Sequence, residues 1–212
     1  MTSTSLTDAI LRDSLLLQQV AAGDQARADD ILRRLSRELR DLIATTSIGA
    51  AERAKLNAMI RDADEIIKRG FGDLSSVVDT DEIAAIINER TADHIVTAFR
   101  SALPPAIMAN VMPDGALPAT AARIASLSRD VLIEGAPLSD WWQKQEQDTQ
   151  FRFAQQVRQG VVNGETQAAI VARITGRPGV PGVLDITRRN ARTLVHSAVM
   201  SAANNARMET FR

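Results

Sequence analysis

The feature that most constrains this chain is its last stretch, residues 185–212, which contains neither glycine nor proline. Without a residue that breaks a helix, the stretch predicts one long, uninterrupted α-helix. Small or apolar residues recur along it at intervals of four, three, four and four positions, which places them on one helical face. They are Ala191, Val195, Ala198, Ala202 and Ala206. Such small side chains predict that another helix packs closely against this face.

The beginning of this predicted helix is basic. Asp185 is expected to be its N-cap residue. The two turns that follow carry Arg188, Arg189 and Arg192. The helix dipole disfavours positive charge there, and arginines spaced i,i+3 or i,i+4 repel each other. An anionic partner is therefore predicted nearby, either an aspartate or glutamate of the same chain, or another protein chain or a phosphate.

Amphipathic patterns predict further helices along the chain. They are expected over residues 7–22, 24–49, 50–69, 79–103, 119–134, 138–160 and 166–176. Breaks are expected near Gly23, Gly49, Gly70–Gly72, Gly135–Pro137 and Arg177–Gly182. No segment alternates polar and apolar residues as a strand would. The predicted fold class is therefore all-α, a multi-helix assembly of roughly eight long amphipathic helices.

A proline-rich segment lies in the middle of the chain. Pro104 and Pro105 are followed by Pro113 and Pro118, and a continuous helix cannot pass through the first two. Apolar side chains in the segment indicate an ordered connector rather than a free linker. The sequence thus predicts an N-terminal helical region over residues 1–103, a connector over 104–118 and a C-terminal helical domain over 119–212.

Composition excludes several classes of function. The 212 residues carry a net charge of −1, no cysteine and two histidines, His94 and His196. A bulk electrostatic attraction to nucleic acid, a disulfide framework and a metal site are therefore not expected. Without a nucleophile–base pair or a Gly-rich phosphate loop, we expect no catalytic residue and no cofactor, and the chain is not predicted to be an enzyme. A helical hydrolase is a hypothesis that no sequence feature supports.

The start of the chain and its apolar runs bear on localisation. The first residues, MTSTSLTDAI, have neither the basic region nor the apolar region of a secretory signal. No apolar run approaches the roughly 18 residues that would cross a bilayer. We therefore expect a protein that starts inside a cell and has no membrane partner.

One segment suggests contact with DNA. Gly164 to Gly176, GETQAAIVARITG, has the cap, apolar core and terminal glycine of the first helix of a helix-turn-helix motif. The loop that follows holds two prolines and is longer than the usual turn of that motif, although the next helical turn is basic. A short amphipathic helix without that role is the simpler explanation of the pattern. A DNA-binding or packaging-associated protein that uses residues 166–192 is thus an alternative hypothesis.

A longer layout resembles a known family. Gly164-Glu165-Thr166 follows a helix that ends in glycine, and it opens a short helix ending Arg173-Ile174-Thr175-Gly176. The last helix then carries Ala191-Arg192-Thr193, Asn204-Asn205-Ala206-Arg207 and Phe211. This layout resembles the phage head-morphogenesis, or minor head protein, family of the Mu F-like type. In that family an Arg-Thr pair on a helix is followed by Asn, Ala-Arg and an aromatic residue.

The resemblance covers only the C-terminal part of the chain, and two positions depart from the family pattern. Leu194 stands where members have an acidic residue, and Phe211 stands where they have tyrosine. Members also continue into a segment rich in Asp, Arg, His or Cys that has no counterpart before Arg212. No property of that segment is carried over.

The resemblance implies a structural role in a virus particle. The chain would be a minor capsid protein of a tailed bacteriophage, located in the phage head at the portal vertex after assembly in the host cytoplasm. Its partners would be the portal protein, the major capsid protein or both, with a homo-oligomer on the portal ring and contact with packaged DNA as further expectations. Together with the basic turns and the small-residue face, the motif predicts which residues of the last helix contact a partner. They are Arg188, Arg189, Arg192, Thr193, Ala198, Ala202, Asn204, Asn205 and Arg207.

Overall fold

The structure is a computed structural model that describes residues 4–46, 52–87, 90, 104 and 132–210, without the side chains of 4–7, 9–10, 207 and 209–210. Of the described residues 84% are helical, which confirms the all-α class. Five helices are delimited there rather than the roughly eight predicted. They are α1 (Thr4–Thr45), α2 (Arg53–Ser75), α3 (Leu138–Val162), α4 (Gln167–Thr175) and α5 (Val183–Thr210). Residues 80–87 are helical as well.

Helix α1 runs through Gly23, so the break predicted there is wrong. A glycine inside a helix costs only about 1 kcal/mol relative to alanine, whereas burial of one leucine contributes about 1.5–3 kcal/mol. The buried positions stay in phase on both sides of the glycine, so one continuous stripe outweighs the weak position. They are Leu17, Ala21, Asp24, Ala28, Leu32, Leu35, Leu39 and Ile43. Asp24, the N-cap that such a break would require, instead lies inside the helix and pairs with Arg27 one turn later.

Helix α2 likewise continues through Gly70–Gly72, and the break predicted there is also wrong. Gly70 is buried, and a Cβ at this position would lie 3.3 Å from Leu35 Cδ1 of α1. The glycine therefore serves the close packing of α2 on α1 rather than ending a helix. Two ion pairs join the same helices, Arg34–Asp73 and Arg69–Glu38.

A short hairpin precedes α3. Strand β1 (Leu132–Ile133) pairs antiparallel with β2 (Ala136–Pro137). Glu134 and Gly135 between them have φ angles of 50° and 83°, the positive values that a type I′ turn requires. The break predicted at Gly135–Pro137 is therefore present. The helix predicted over 119–134 is wrong at its end, because residues 132–134 belong to the hairpin, and its other residues lie outside the described ranges.

Other predicted helix boundaries are confirmed by hydrogen bonds. Asp79 accepts from the backbone N–H groups of Asp81 and Glu82, at 3.1 and 2.9 Å, at the start of helical residues 80–87. Thr166 caps α4, and Gly176 ends it with a φ of 83°. Helices α1 and α2 are separate, as a break near Gly49 predicts, although Gly49 itself lies outside the described residues.

The chain forms two compact units, each assembled from separate segments. Unit one combines residues 24–77 with residues 138–195, and unit two combines the described residues of 1–23, 78–137 and 196–212. The connector predicted over 104–118 lies outside the described residues apart from Pro104. The division into residues 1–103, 104–118 and 119–212 therefore stays a prediction.

Unit one contains the contacts that position the candidate site. Helix α2 packs on α3, and α3 packs on α4. The buried indole of Trp142 on α3 meets the ring of Phe71 on α2 edge-on, with ring centroids 6.4 Å apart. Between α3 and α5, the hydroxyls of Thr149 and Thr187 form a buried hydrogen bond of 3.0 Å. These contacts join α3 to α2 and to α5.

Unit two has its own apolar core, formed by the first part of α1, the helical residues 80–87 and the last part of α5. Its members include Leu17, Ala21, Ile83, Ile87, Val199 and Ala203. The carboxylate of Asp13, which is buried, lies 3.6 Å from Arg90 Nη1. This ion pair balances the one buried negative charge described in the unit.

We expect the substitution Gly23→Ala to stabilise the protein. Position 23 lies inside a helix, and no described atom lies within 4 Å of an added Cβ. Alanine should therefore raise the free energy of unfolding by about 0.5–1 kcal/mol. Thermal unfolding followed by far-ultraviolet circular dichroism measures the change. The matched control is Gly160→Ala, also inside a helix, whose Cβ would lie 2.6 Å from Ile170 Cγ1 and should destabilise. A lower Tm for Gly23→Ala would show that α1 is broken there.

Candidate functional site

The structure gives Arg192, one of the predicted partner residues on α5, a partner within the chain. Arg192 forms a bidentate ion pair with Asp29 of α1, in which Nε donates to Oδ1 at 3.0 Å and Nη2 donates to Oδ2. Gln25, one turn earlier on α1, donates from Nε2 to the backbone carbonyl of Arg192 at 3.1 Å. Of the anionic partners that the sequence allows, Arg192 therefore has the intramolecular carboxylate.

Asp29 depends on this guanidinium because it is largely buried. The side chain of Asp29 is 11% exposed, whereas that of Arg192 is 51% exposed. The hydrogen bond from Arg192 lowers the pKa of Asp29 below its ordinary value of 3.8, and it outweighs the opposing effect of burial. The charges of Arg192, Arg188 and Arg33 lower the pKa of Asp29 further. The same hydrogen bond raises the pKa of Arg192, so both groups are charged at neutral pH.

The other two basic residues of this turn lie in different surroundings. Arg188 acts on Asp29 through its charge, and its Nε is buried without a hydrogen-bond partner among the described residues. Arg189 is exposed to solvent. The structure therefore brings Arg188 and Arg192 toward one carboxylate and leaves Arg189 outside this cluster.

The rest of the predicted contact set divides into buried and exposed residues. Ala198 and Ala202 are 0% and 1% exposed, so the chain itself covers the small-residue face at these positions. The side chain of Arg207 lies outside the description. The exposed members are Thr193, Asn204 and Asn205. Their role as contacts with a partner stays a prediction.

The start of α5 lies two residues before the predicted N-cap, because α5 begins at Val183. Asp185 lies in the first turn, where its Oδ2 accepts from the backbone N–H of Gly182 at 3.0 Å. This is the reciprocal half of a capping box, and it places negative charge where the helix dipole favours it. A Cβ at Gly182 would lie 2.2 Å from the Gly176 nitrogen. Only residues without a side chain allow α4 and α5 to meet this closely.

Between these two glycines the loop makes a tight turn. Arg177 and Val180 exchange two backbone hydrogen bonds, of 3.0 and 2.9 Å. Pro178 and Gly179 occupy the central positions, and the φ of 78° at Gly179 suits the third residue of a type II turn. The turn places Arg177 and Val180, both exposed, at the rim of a groove.

This groove has a volume of about 600 Å³ and lies among α3, α4, the 176–182 loop and the start of α5. A volume in this range suits a small ligand or a short stretch of polypeptide. Apolar residues of α4, the loop and α5 form part of its wall. Its polar residues are Arg152, Gln155, Gln156, Glu165, Arg173 and Arg177. We call this site the arginine groove.

The end of α3 places Glu165 in the arginine groove. Gly164 has a φ of 66°. The N–H of Glu165 donates to the Gly160 carbonyl at 2.9 Å, and the N–H of Gly164 donates to the Val161 carbonyl at 3.1 Å. These two bonds form a Schellman motif, in which a glycine in the left-handed region reverses the chain. The reversal directs Glu165 back toward α4.

Glu165 and Arg173 form the charged centre of the groove. Arg173 Nε donates to Glu165 Oε2 at 2.6 Å and its Nη2 donates to Oε1, while Nη1 donates to Gln156 Oε1 at 3.1 Å. The hydrogen bond from Arg173 lowers the pKa of Glu165 below its ordinary value of 4.5, and the charge of Arg177 acts in the same direction. Glu165 is therefore ionised at neutral pH and orients Arg173.

The arginine groove carries a surplus of positive charge. Three guanidinium groups and one carboxylate line it. Arg173 is paired with Glu165, whereas Arg152 and Arg177 have no ion-pair partner among the described residues. Guanidinium groups bind carboxylates and phosphates through paired hydrogen bonds, so the groove is suited to an anionic group.

The sequence alone does not predict this groove. Glu165 and Arg173 are part of the motif that carries the family resemblance, but their pairing depends on the chain reversal at Gly164. Arg152 and Gln156, one helical turn apart on α3, are a local signal that could have indicated a polar face. Arg177 reaches the groove only through the turn that follows α4.

Two further properties concern metals and membranes. Within the described ranges, no group of three or more His, Asp or Glu side chains is arranged to hold a metal ion. Nor does any helix in those ranges combine the length and the apolar character that crossing a membrane requires. His196 is exposed, and His94 lies outside the described residues.

Comparisons of the chain with protein-family models, with curated proteins and with solved structures find no match. The resemblance of residues 160–211 to minor head proteins therefore rests on the motif residues themselves.

We expect Arg192→Ala to destabilise the folded protein. The substitution removes both hydrogen bonds to Asp29 and leaves a largely buried carboxylate, although solvent screens part of the effect. The free energy of unfolding should fall by about 1–2 kcal/mol. Urea unfolding measures it, with Arg189→Ala, an exposed arginine of the same helix, as the matched control. Equal stability of the two variants would contradict a structural role for the Arg192–Asp29 pair.

The same pair predicts a dependence of stability on pH. The folded state lowers the pKa of Asp29 below 3.8. The stabilisation that ionised Asp29 gives the folded state is therefore complete above about pH 3.8, and it is lost as the pH falls through the lower pKa of the folded state. The stability advantage of the parent protein over Asp29→Asn should therefore be constant from about pH 7 to 5 and shrink below about pH 4. Asp30→Asn, with an exposed side chain, controls for the lost charge. An advantage that persists unchanged at low pH would refute this linkage.

Proposed function

We propose that the chain is a structural minor head protein of a tailed bacteriophage, a virion component that associates with the portal vertex during head assembly. Its partners in this proposal are the portal protein, the major capsid protein or both, reached through helix packing. A homo-oligomer on the portal ring and contact with packaged DNA belong to the same proposal, as does assembly in the host cytoplasm.

The observation that carries the proposal is the layout of helices over the motif residues. Gly164 ends the α3 segment, Thr166 opens α4, and Gly176 closes it. The motif residues Ala191-Arg192-Thr193 and Asn204-Asn205-Ala206 then lie on the single helix α5. The motif residues therefore lie on helices in the order that the resemblance implies, and this order supports the proposal.

The exposed motif residues indicate where a partner would be contacted. Asn204 and Asn205 are adjacent and exposed on α5. An asparagine side chain both donates and accepts hydrogen bonds, so it can pair with the backbone or side chains of another protein. Arg192 pairs with Asp29 and so positions α5 in this proposal. Its side chain is also 51% exposed, and a contact between Arg192 and a partner stays a prediction.

The alternative, a DNA-binding protein that uses residues 166–192, draws less support. Seven residues, 176–182, separate α4 from α5, whereas a helix-turn-helix motif joins its helices by three or four. One of the three arginines in the first turns of α5 is already paired with a carboxylate. This alternative is supported by Arg177 and Arg189, two exposed basic residues.

The proposal predicts that the chain is found in phage heads. Particles produced by the source of this sequence should contain it when gradient-purified and analysed by mass spectrometry, and it should remain with the portal when heads are dissociated. The double variant Asn204→Ala/Asn205→Ala should enter particles less efficiently with an unchanged Tm. Asn57→Ala, an exposed asparagine on α2, is the matched control.

Two outcomes would count against this proposal. Absence of the chain from purified particles would contradict a structural role in the head. Tight binding of duplex DNA by the isolated chain, falling steeply with salt and lost in Arg177→Ala/Arg189→Ala, would favour the DNA-binding alternative, since release of counterions from phosphates produces such a salt dependence.

A further inference from the structure

We infer that the arginine groove is a docking site for an acidic peptide segment of a partner protein, one that carries glutamate or aspartate beside aliphatic residues. The inference concerns unit one alone and does not depend on the virion assignment. Three features of the groove carry it: its unpaired arginines, its amide and apolar lining, and an exposed apolar strip that continues it along α3.

The arginines specify the charge of the occupant. Arg173 donates hydrogen bonds to Glu165 and Gln156. These bonds hold it in place, and it contributes its positive charge to the groove. Arg152 and Arg177 lie on two sides of the groove, on α3 and on the 176–182 turn, without an ion-pair partner in the described part of the chain. Each can form a bidentate pair with a carboxylate. An occupant with two acidic side chains would therefore complement the groove.

The rest of the lining fits a polypeptide. Gln155 and Gln156 each present an amide, which can donate to and accept from a peptide backbone. Val180 is 51% exposed at the rim, and Pro181 and Ile186 contribute further apolar surface. Aliphatic side chains of a peptide would cover this surface, whereas a purely charged ligand would leave it in water.

A second depression on α3 adjoins the groove at Gln155, and an elongated occupant would cover both. The two depressions share Gln155, and the second is also lined by Phe151, Arg158 and Val162. Phe151 is 69% exposed and Val162 is 81% exposed. Large apolar side chains that are this exposed beside a charged groove are typical of a surface that binds another protein.

A peptide fits better than a nucleic acid strand. The carboxylate of Glu165 lies inside the groove and is ionised, so it opposes the closely spaced phosphates of a nucleic acid backbone. The chain as a whole has a net charge of −1, which provides no general attraction for nucleic acid. A peptide can instead place its carboxylates next to Arg152 and Arg177 and its apolar residues next to Phe151.

The test selects peptides that bind the protein and then substitutes residues both in the groove and in the peptides. Random short peptides displayed on phage are selected on the immobilised full-length protein. The selected peptides are synthesised with a fluorescent label, and their affinity is measured by anisotropy. We expect them to be acidic and to bind about tenfold more weakly to Arg152→Gln/Arg177→Gln and to Phe151→Ala, through lost charge pairs and lost apolar contact.

Matched controls separate the groove from general effects. Arg53→Gln/Arg61→Gln removes two exposed arginines of α2 in the same unit and should leave peptide affinity unchanged. The same peptides with every Glu and Asp replaced by Gln and Asn should lose affinity for the parent protein. This measurement with altered peptides is valid even if a groove variant fails to fold, because it uses the parent protein.

Several results would overturn the inference. Selection that enriches no peptide, or enriches peptides without acidic residues, would do so. Equal binding to the parent and to Arg152→Gln/Arg177→Gln would place the site elsewhere. A labelled DNA duplex that binds more tightly than the peptides and depends on the same arginines would make the occupant nucleic acid. Self-association in sedimentation that is lost in the groove variant would make it a second copy of the chain.

Discussion

A charged contact joins the first and last helices of unit one. Arg192 of α5 and Asp29 of α1 are 163 positions apart in the sequence and form a bidentate pair. Asp29 is largely enclosed and Arg192 is half exposed, so the carboxylate is stable inside the fold only while the guanidinium is present. Gln25 strengthens the contact through the Arg192 carbonyl. The buried Asp29 thereby fixes the position of α5 along α1.

Once α5 is fixed, glycines determine where α4 lies. Gly176 and Gly182 allow the end of α4 to touch the start of α5, and Gly160 allows α4 to approach α3 near Ile170. The reversal at Gly164 turns Glu165 toward Arg173. The arginine groove is the space that these close approaches leave between the helices. Its charge arises because one acidic residue meets three arginines there.

The two proposals share α4 and its ends but place the contact with a partner on different residues. The proposed role in a phage head rests on motif residues of α5, of which Asn204 and Asn205 are exposed. The proposed peptide site rests on Arg152, Arg177 and Phe151, which the motif does not include. Both proposals concern recognition of another protein through ion pairs, amides and apolar surface.

Local elements of the fold follow from the amino-acid sequence alone. The helix starts predicted at residues 79 and 166, the glycine that ends α4 and the unbroken last helix are all present, because each depends on residues within a few positions of one another. Whether Gly23 and Gly70 end helices depends on tertiary packing, since packing of an in-phase apolar stripe outweighs the weak helix propensity of glycine. It also decided which acid neutralises Arg192 and which arginines share the groove. Those outcomes depend on residues far apart in the sequence, whose proximity no local pattern encodes.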